Sequence, residues 1–164
     1  MFACVNLNRY RTLWQATIIR TNESFLTENK MPKVKQINHV AVVVDDMEKA
    51  LSFWRDALGI ELHELRDVPA EKSQVAFLPL PGSEVELVRP ASDDSGIAKY
   101  LAKRGPGMHH ICLEVDDIEG MMNQLKAKGV HLINETARIA ADGKKYAFIH
   151  PESACGVLVE LYQI

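Results

Sequence analysis

The sequence predicts an α+β fold: two βαβββ repeats that share a mixed sheet and curl it into a concave cup. Three observations predict it. Residues 37–48 match residues 108–119 without a gap, 71 positions on; a helix-start signal stands at the same place in each copy; and three strand-like stretches follow each helix. A repeat of this length names the structural unit before any element is assigned.

Each copy opens on a run rich in β-branched residues, Val40 to Val44 in the first and Ile111 to Val115 in the second, which reads as a strand. Asp-Asp-x-Glu follows, so Asp45 or Asp116 is expected to cap a helix with Glu48 or Glu119 three residues on. Met47, Ala50, Leu51, Trp54 and Leu58 then recur at helical spacing, as do Ile118, Met121, Met122 and Leu125, and these stripes are read as core. Gly59 and Gly129 are placed to end the helices in a left-handed conformation. Strands are expected at 61–65, 74–80 and 84–89, and again at 131–134, 145–150 and 157–162, with turns at Pro81-Gly82 and Asp142-Gly143. A linker helix at 95–104 joins a first repeat (35–90) to a second (107–164) in one domain.

Composition narrows the function. With 164 residues, 47% hydrophobic and 25% charged, the chain can bury a core. A net charge of −3 leaves no extended basic field, so nucleic acid is not an expected partner. No apolar run approaches the roughly 20 residues that cross a bilayer, so no membrane partner is expected. Three cysteines (Cys4, Cys112 and Cys155) without CxxC spacing fit a reducing, cytoplasmic setting better than a disulfide scaffold. Residues 1–34 show no sustained period; Arg9, Arg11 and Arg20 hint at a transit peptide, but Glu23 and Glu28 argue against one. They are expected to be a flexible leader or to lie upstream of a true start at Met31.

The chemistry lies in two symmetric pairs. His39 and His110 hold the same position in the opening strands, and Glu86 and Glu160 the same position, 74 residues apart, in the closing ones. A carboxylate on an otherwise apolar strand is costly unless paired or bound to a metal. His110 is preferred over His109, which strand alternation sends to the opposite face; His63, His131 and His150 lack repeat partners and are read as structural or surface groups. Two imidazoles and two carboxylates without a thiolate suit a divalent ion: Co, Mn, Ni, Fe or Zn, with Co or Mn favoured. Two open coordination positions would take a ligand with neighbouring oxygens, and the ion would stabilise an enolate formed on it.

These residues resemble the vicinal-oxygen-chelate (glyoxalase/bleomycin-resistance) superfamily and, within it, the methylmalonyl-CoA epimerase family. The resemblance runs from about Lys35 to Ile164 and rests on Ile37-Asn38-His39-Val40-Ala41, on Asp94-Ser95-Gly96-Ile97-Ala98-Lys99-Tyr100-Leu101 leading into Gly107-Met108-His109-His110, and on Phe148-Ile149-His150-Pro151 leading into Gly156-Val157-Leu158-Val159-Glu160-Leu161. It implies 2R/2S interconversion of an acyl-CoA substrate, methylmalonyl-CoA, on a homodimer, with His39, Glu86, His110 and Glu160 as metal ligands and Glu160 also as a catalytic acid/base. A second base used by some members falls here on Gln74 or Val75, neither of them basic. Glu114 is a weaker substitute, read as a salt-bridged strand-end carboxylate, and Lys99, Lys103, Arg104, Lys144 and Lys145 are available to coenzyme A phosphates. The alternatives are a glyoxalase-type isomerase acting on a glutathione hemithioacetal, a dioxygenase, for which one glutamate would be surplus, and a metal-free small-molecule-binding protein of the same fold.

Overall fold

In the computed structural model, which describes residues 31–140 and 142–164, the two β-branched runs become strands β1 (Val34–Val43) and β5 (Gly107–Val115). The first copy continues with β2 (Glu64–Val68), β3 (Ser73–Leu80) and β4 (Ser83–Pro90), the second with β6 (Arg138–Ile139), β7 (Lys145–Ile149) and β8 (Leu158–Gln163). All eight lie in one sheet, in the order β2-β3-β4-β1-β5-β8-β7-β6. β1 pairs with β4 and β5 with β8 in parallel, while β1 and β5 pair antiparallel. The halves therefore have the same order read outward from a central β1/β5 seam. Most of the expected leader lies outside the described residues; of its last four, Lys33 donates its N–H to Asp116 Oδ1 at 2.7 Å and Val34 already belongs to β1.

Among the described residues, three α-helices cover the sheet or join its halves: α1 (Met47–Leu51), α2 (Gly96–Arg104) and α3 (Ile118–Ala127). The helix starts lie one residue later than expected. Asp46 and Asp117, not Asp45 and Asp116, are the last residues with extended backbone, and their Oδ1 atoms accept from Lys49 N at 3.1 Å and Gly120 N at 3.0 Å. Glu48 and Glu119 therefore sit one place too early to close a capping box and instead add negative charge to the first turn, where the helix dipole favours it. Asp46→Ala is expected to destabilise the fold by about 1 kcal/mol, read as a lower urea midpoint at unchanged m-value.

α1 runs on into a π-helical segment, Ser52–Ala57, closed by Leu58 N donating to Phe53 O at 2.9 Å. The wider turn rotates the helix face, so Leu58, expected in the core stripe, is 54% exposed while Met47 and Leu51 stay buried. Gly59 and Gly129 both take φ 75°, as a left-handed helix end requires.

Two strands are displaced from their expected places. The stretch 61–65 gives way to β2 at Glu64–Val68, and 131–134 forms no strand. There Leu132 makes an isolated bridge to Ile149, and the Asn134 side chain, not a backbone carbonyl, accepts the Phe148 N–H at 2.8 Å, which ends the ladder. The edge pairing resumes at β6, opposite Lys145 and Tyr146.

Alternation along the strands sorts side chains between two faces. Under α1, Leu51 packs with Leu78, Val85 and Leu87; under α3, Ile118, Met121 and Met122 pack with Ala147 and Leu161. The opposite face carries a smaller apolar patch of Ala41, Val75 and Val88, and it opens as a cavity of about 1020 Å³.

Candidate active site

Register places the four ligand-type residues on the cavity side. Ala41 pairs with Glu86 on β4 and with His110 across the seam, while Cys112 pairs with Glu160 on β8 and with His39 across the seam. Each histidine thus shares a row with the other half's glutamate, separated from it by one small residue. Ala41 and Cys112, both fully buried, leave room above themselves.

The seam has three register shifts, and two of them adjoin the histidines. Ile37 pairs with Leu113 and His39 with Cys112, so Asn38 is extra on β1; His110 pairs with Ala41 and Met108 with Val42, so His109 is extra on β5. A bulge breaks strand alternation. His109 consequently does not point away, as alternation requires, but lines the cavity, with its Nδ1 2.9 Å from His110 Nδ1 and its ring 4.7 Å from that of Tyr100. Asn38 occupies the corresponding place before His39, and its Oδ1 accepts from His39 Nδ1 at 3.0 Å. That contact fixes the His39 ring and turns its Nε2 into the cavity.

His39, His110 and Glu160 converge. The two Nε2 atoms are 3.1 Å apart, and Glu160 Oε2 lies 3.0 Å from that of His110 and 3.4 Å from that of His39. Three donor atoms this close, on residues each less than a tenth exposed, fit one shared cation better than they satisfy one another. Glu86 stands apart, its Oε1 3.5 Å from Nδ1 on the flank of the His39 ring.

Burial works to raise the Glu160 carboxyl, but hydrogen bonds from His110 and His39 outweigh it and hold the group at about 2. Burial likewise works to lower His39, and the Glu160 hydrogen bond with the charges of Glu86 and Glu160 turns the net direction upward. Glu86, with no such donor, is pushed up by burial. His109 is lowered to about 4 by burial and by its neighbour His110, so it is neutral near pH 7.

The remaining candidates separate cleanly. Val75 lines the cavity, whereas Gln74 Nε2 donates to Asp67 Oδ1 at 3.0 Å. Glu114 accepts from Lys35 and, at 3.0 Å, from Gln36 Nε2, and the Lys35 hydrogen bond holds its carboxyl below the usual range. Lys144 pairs with Asp142 at 3.0 Å and Lys145 with Glu119 at 2.7 Å. On the rim, Arg66 pairs with Glu64 and Lys72 with Asp94. A second groove of about 340 Å³ shares Tyr100 and His109 with the cavity and is bordered by Lys103 and Arg104. Arg104 lies 5.8 Å over the Tyr100 ring, and among the described residues neither cation has a carboxylate partner. Asn38, Tyr100 and Phe148, whose ring meets that of His110 at 5.7 Å, stand in the stretches that carry the family resemblance but were given no role in the site; nothing in the repeat marks them except the position of Asn38 next to His39.

The family model for the glyoxalase/bleomycin resistance protein/dioxygenase superfamily matches residues 38–148. Mitochondrial methylmalonyl-CoA epimerase of Mus musculus is 43% identical over 132 residues, 80% of this chain and 74% of that protein. The crystal structure of methylmalonyl-CoA epimerase from Mycobacterium tuberculosis superposes with a TM-score of 0.72 at 36% identity, covering 79% of this chain and 88% of the other. A methylmalonyl-CoA epimerase solved with methylmalonyl-CoA and NH4+ superposes at 0.73 with 28% identity, covering 80% and 95%.

Proposed function

Because the chain belongs to the glyoxalase/bleomycin resistance protein/dioxygenase superfamily, among relatives that are methylmalonyl-CoA epimerases, we propose that it interconverts the 2R and 2S forms of methylmalonyl-CoA. The observation that carries this reading is the buried meeting of His39, His110 and Glu160 on the floor of a cavity large enough for an acyl thioester.

The reaction removes the proton on C2, between the thioester and the carboxylate, and returns one to the opposite face. Glu160, whose Oε2 lies 3.0 Å from His110 Nε2 and 3.4 Å from His39 Nε2, is the carboxylate this reading makes the acceptor of that proton. Asn38 and His109 fix the two imidazole rings from behind, so both present Nε2 to the bound acyl group. Val75, Val88 and Phe77 wall the cavity with apolar surface that excludes water from C2. A divalent ion held by His39, His110 and Glu160, with Glu86 joining by side-chain rotation from beside His39, would supply positive charge opposite the two oxygens that flank C2; this donor set suits Co²⁺ or Mn²⁺.

Coenzyme A phosphates are assigned to Lys103 and Arg104, because those cations border the adjoining groove and have no carboxylate partner among the described residues, whereas Arg66, Lys72 and Lys144 are already paired. A homodimer, expected from the family, is checked by sedimentation equilibrium.

The decisive experiment incubates Co²⁺-loaded protein with methylmalonyl-CoA in deuterated water. Deuterium is expected at C2, and a chelator is expected to stop its entry. Absence of exchange by the loaded protein sinks the reading, and turnover of a glutathione–methylglyoxal adduct instead would move the chain to glyoxalase chemistry. In the same assay, the Lys103→Ala/Arg104→Ala double variant is expected to raise KM for the coenzyme A thioester but not for the pantetheine thioester, which lacks the nucleotide.

A further inference from the structure

A second group of metal-type donors lies outside the cavity. One donor atom from each of His131, His150 and Glu152 falls within 4.8 Å of the others. The backbone holds the three in place: His150 N donates to His131 O at 2.9 Å, Leu132 bridges Ile149, and His131 N donates to Ser153 Oγ at 2.9 Å. Glu152 belongs to the short 3-10 turn Pro151–Ala154 that begins directly after His150.

The donors converge without satisfying one another. The imidazole rings stack with centroids 4.6 Å apart and planes 19° apart, a geometry in which neither ring donates to the other. Glu152 Oε2 lies 3.7 Å from His131 Nδ1 and 3.8 Å from His150 Nδ1, beyond hydrogen-bond range of both. With metal–nitrogen and metal–oxygen bonds of about 2.0–2.2 Å, tetrahedral donors stand roughly 3.4 Å apart, so the two carboxylate–imidazole separations need shrink by only a few tenths of an ångström while the stacked rings turn to aim at one ion. The side chains are 59%, 42% and 77% exposed, free to make that shift and open to a hydrated ion. His150 Nδ1 accepts from Glu152 N at 3.2 Å, a long bond that an incoming ion replaces.

We propose that His131, His150 and Glu152 form a second divalent-metal site, separate from the cavity, that takes a borderline ion such as Zn²⁺, Ni²⁺ or Cu²⁺. Two neutral imidazoles with a single carboxylate favour these ions over Ca²⁺ and Mg²⁺, which want more oxygen ligands, and the missing thiolate disfavours Cu⁺. Water completes the shell. Occupancy ties residue 131 to the 151–154 turn, whose Pro151 also borders the groove beside Lys103 and Arg104.

The test titrates Zn²⁺ into Co²⁺-loaded full-length protein by calorimetry while the histidine ring signals are followed by NMR. Wild type is expected to bind one Zn²⁺ more per chain than His131→Ala, with the His131 and His150 ring signals shifting together. Glu152→Gln is expected to weaken that event at least about tenfold. Both variants should keep wild-type α-proton exchange. Equal stoichiometry and affinity in wild type and His131→Ala, or ring signals that do not move, overturn the proposal.

Discussion

Replacing Glu160 by Gln is expected to slow α-proton exchange by roughly 10³-fold, the range in which a positioned acid/base operates. Glu160 is the carboxylate that reaches both imidazoles, at 3.0 and 3.4 Å. The amide keeps the size and shape of the side chain but cannot take up the proton, so melting temperature and far-UV circular dichroism should stay close to wild type while turnover collapses. Glu86→Gln should do less, because Glu86 meets only the flank of His39, at 3.5 Å. Near-normal exchange by the Glu160→Gln protein would move proton transfer to another group.

The largest stability losses are expected at the residue following each of those glutamates. Leu87 and Leu161 are 0% and 2% exposed, and alternation turns them to the helix-covered face, away from the cavity. Truncating either to Ala removes a buried isobutyl group and leaves a void, which costs about 2–5 kcal/mol. Leu87 packs under α1 and Leu161 under α3, in separate clusters. The two losses should therefore add to within about 0.5 kcal/mol in the double variant, measured by urea unfolding. A larger deviation would mean that the seam couples the two cores.

Much of this architecture was legible because the sequence carries it twice. An element that stands at the same place in both copies, such as the opening strand or the helix stop at Gly59 and Gly129, is read with two witnesses. The features missed are those that depend on backbone geometry within a copy. Asp45 and Asp46 have the same chemistry, and only the residue at which the chain leaves the extended conformation decides which one caps. Strand alternation sent His109 outward, and a single inserted position on β5 brought it back to the cavity. The repeat also suggested two equivalent ligand pairs, whereas Glu160 reaches both histidines and Glu86 only one. Nothing local in the sequence breaks that symmetry, since both glutamates sit between apolar neighbours at the same place in their strands.

The seam between β1 and β5 has a further consequence. His39 and His110 are 71 residues apart in the chain and meet only when the halves close on each other. A solute that grips both imidazoles therefore binds the closed form and not the open one. Mass action then adds about 2.7 kcal/mol to the resistance of the fold at a free concentration one hundred times the dissociation constant. Were that solute a divalent ion, its removal would lower the melting temperature by loosening the molecule along the line where the two halves meet.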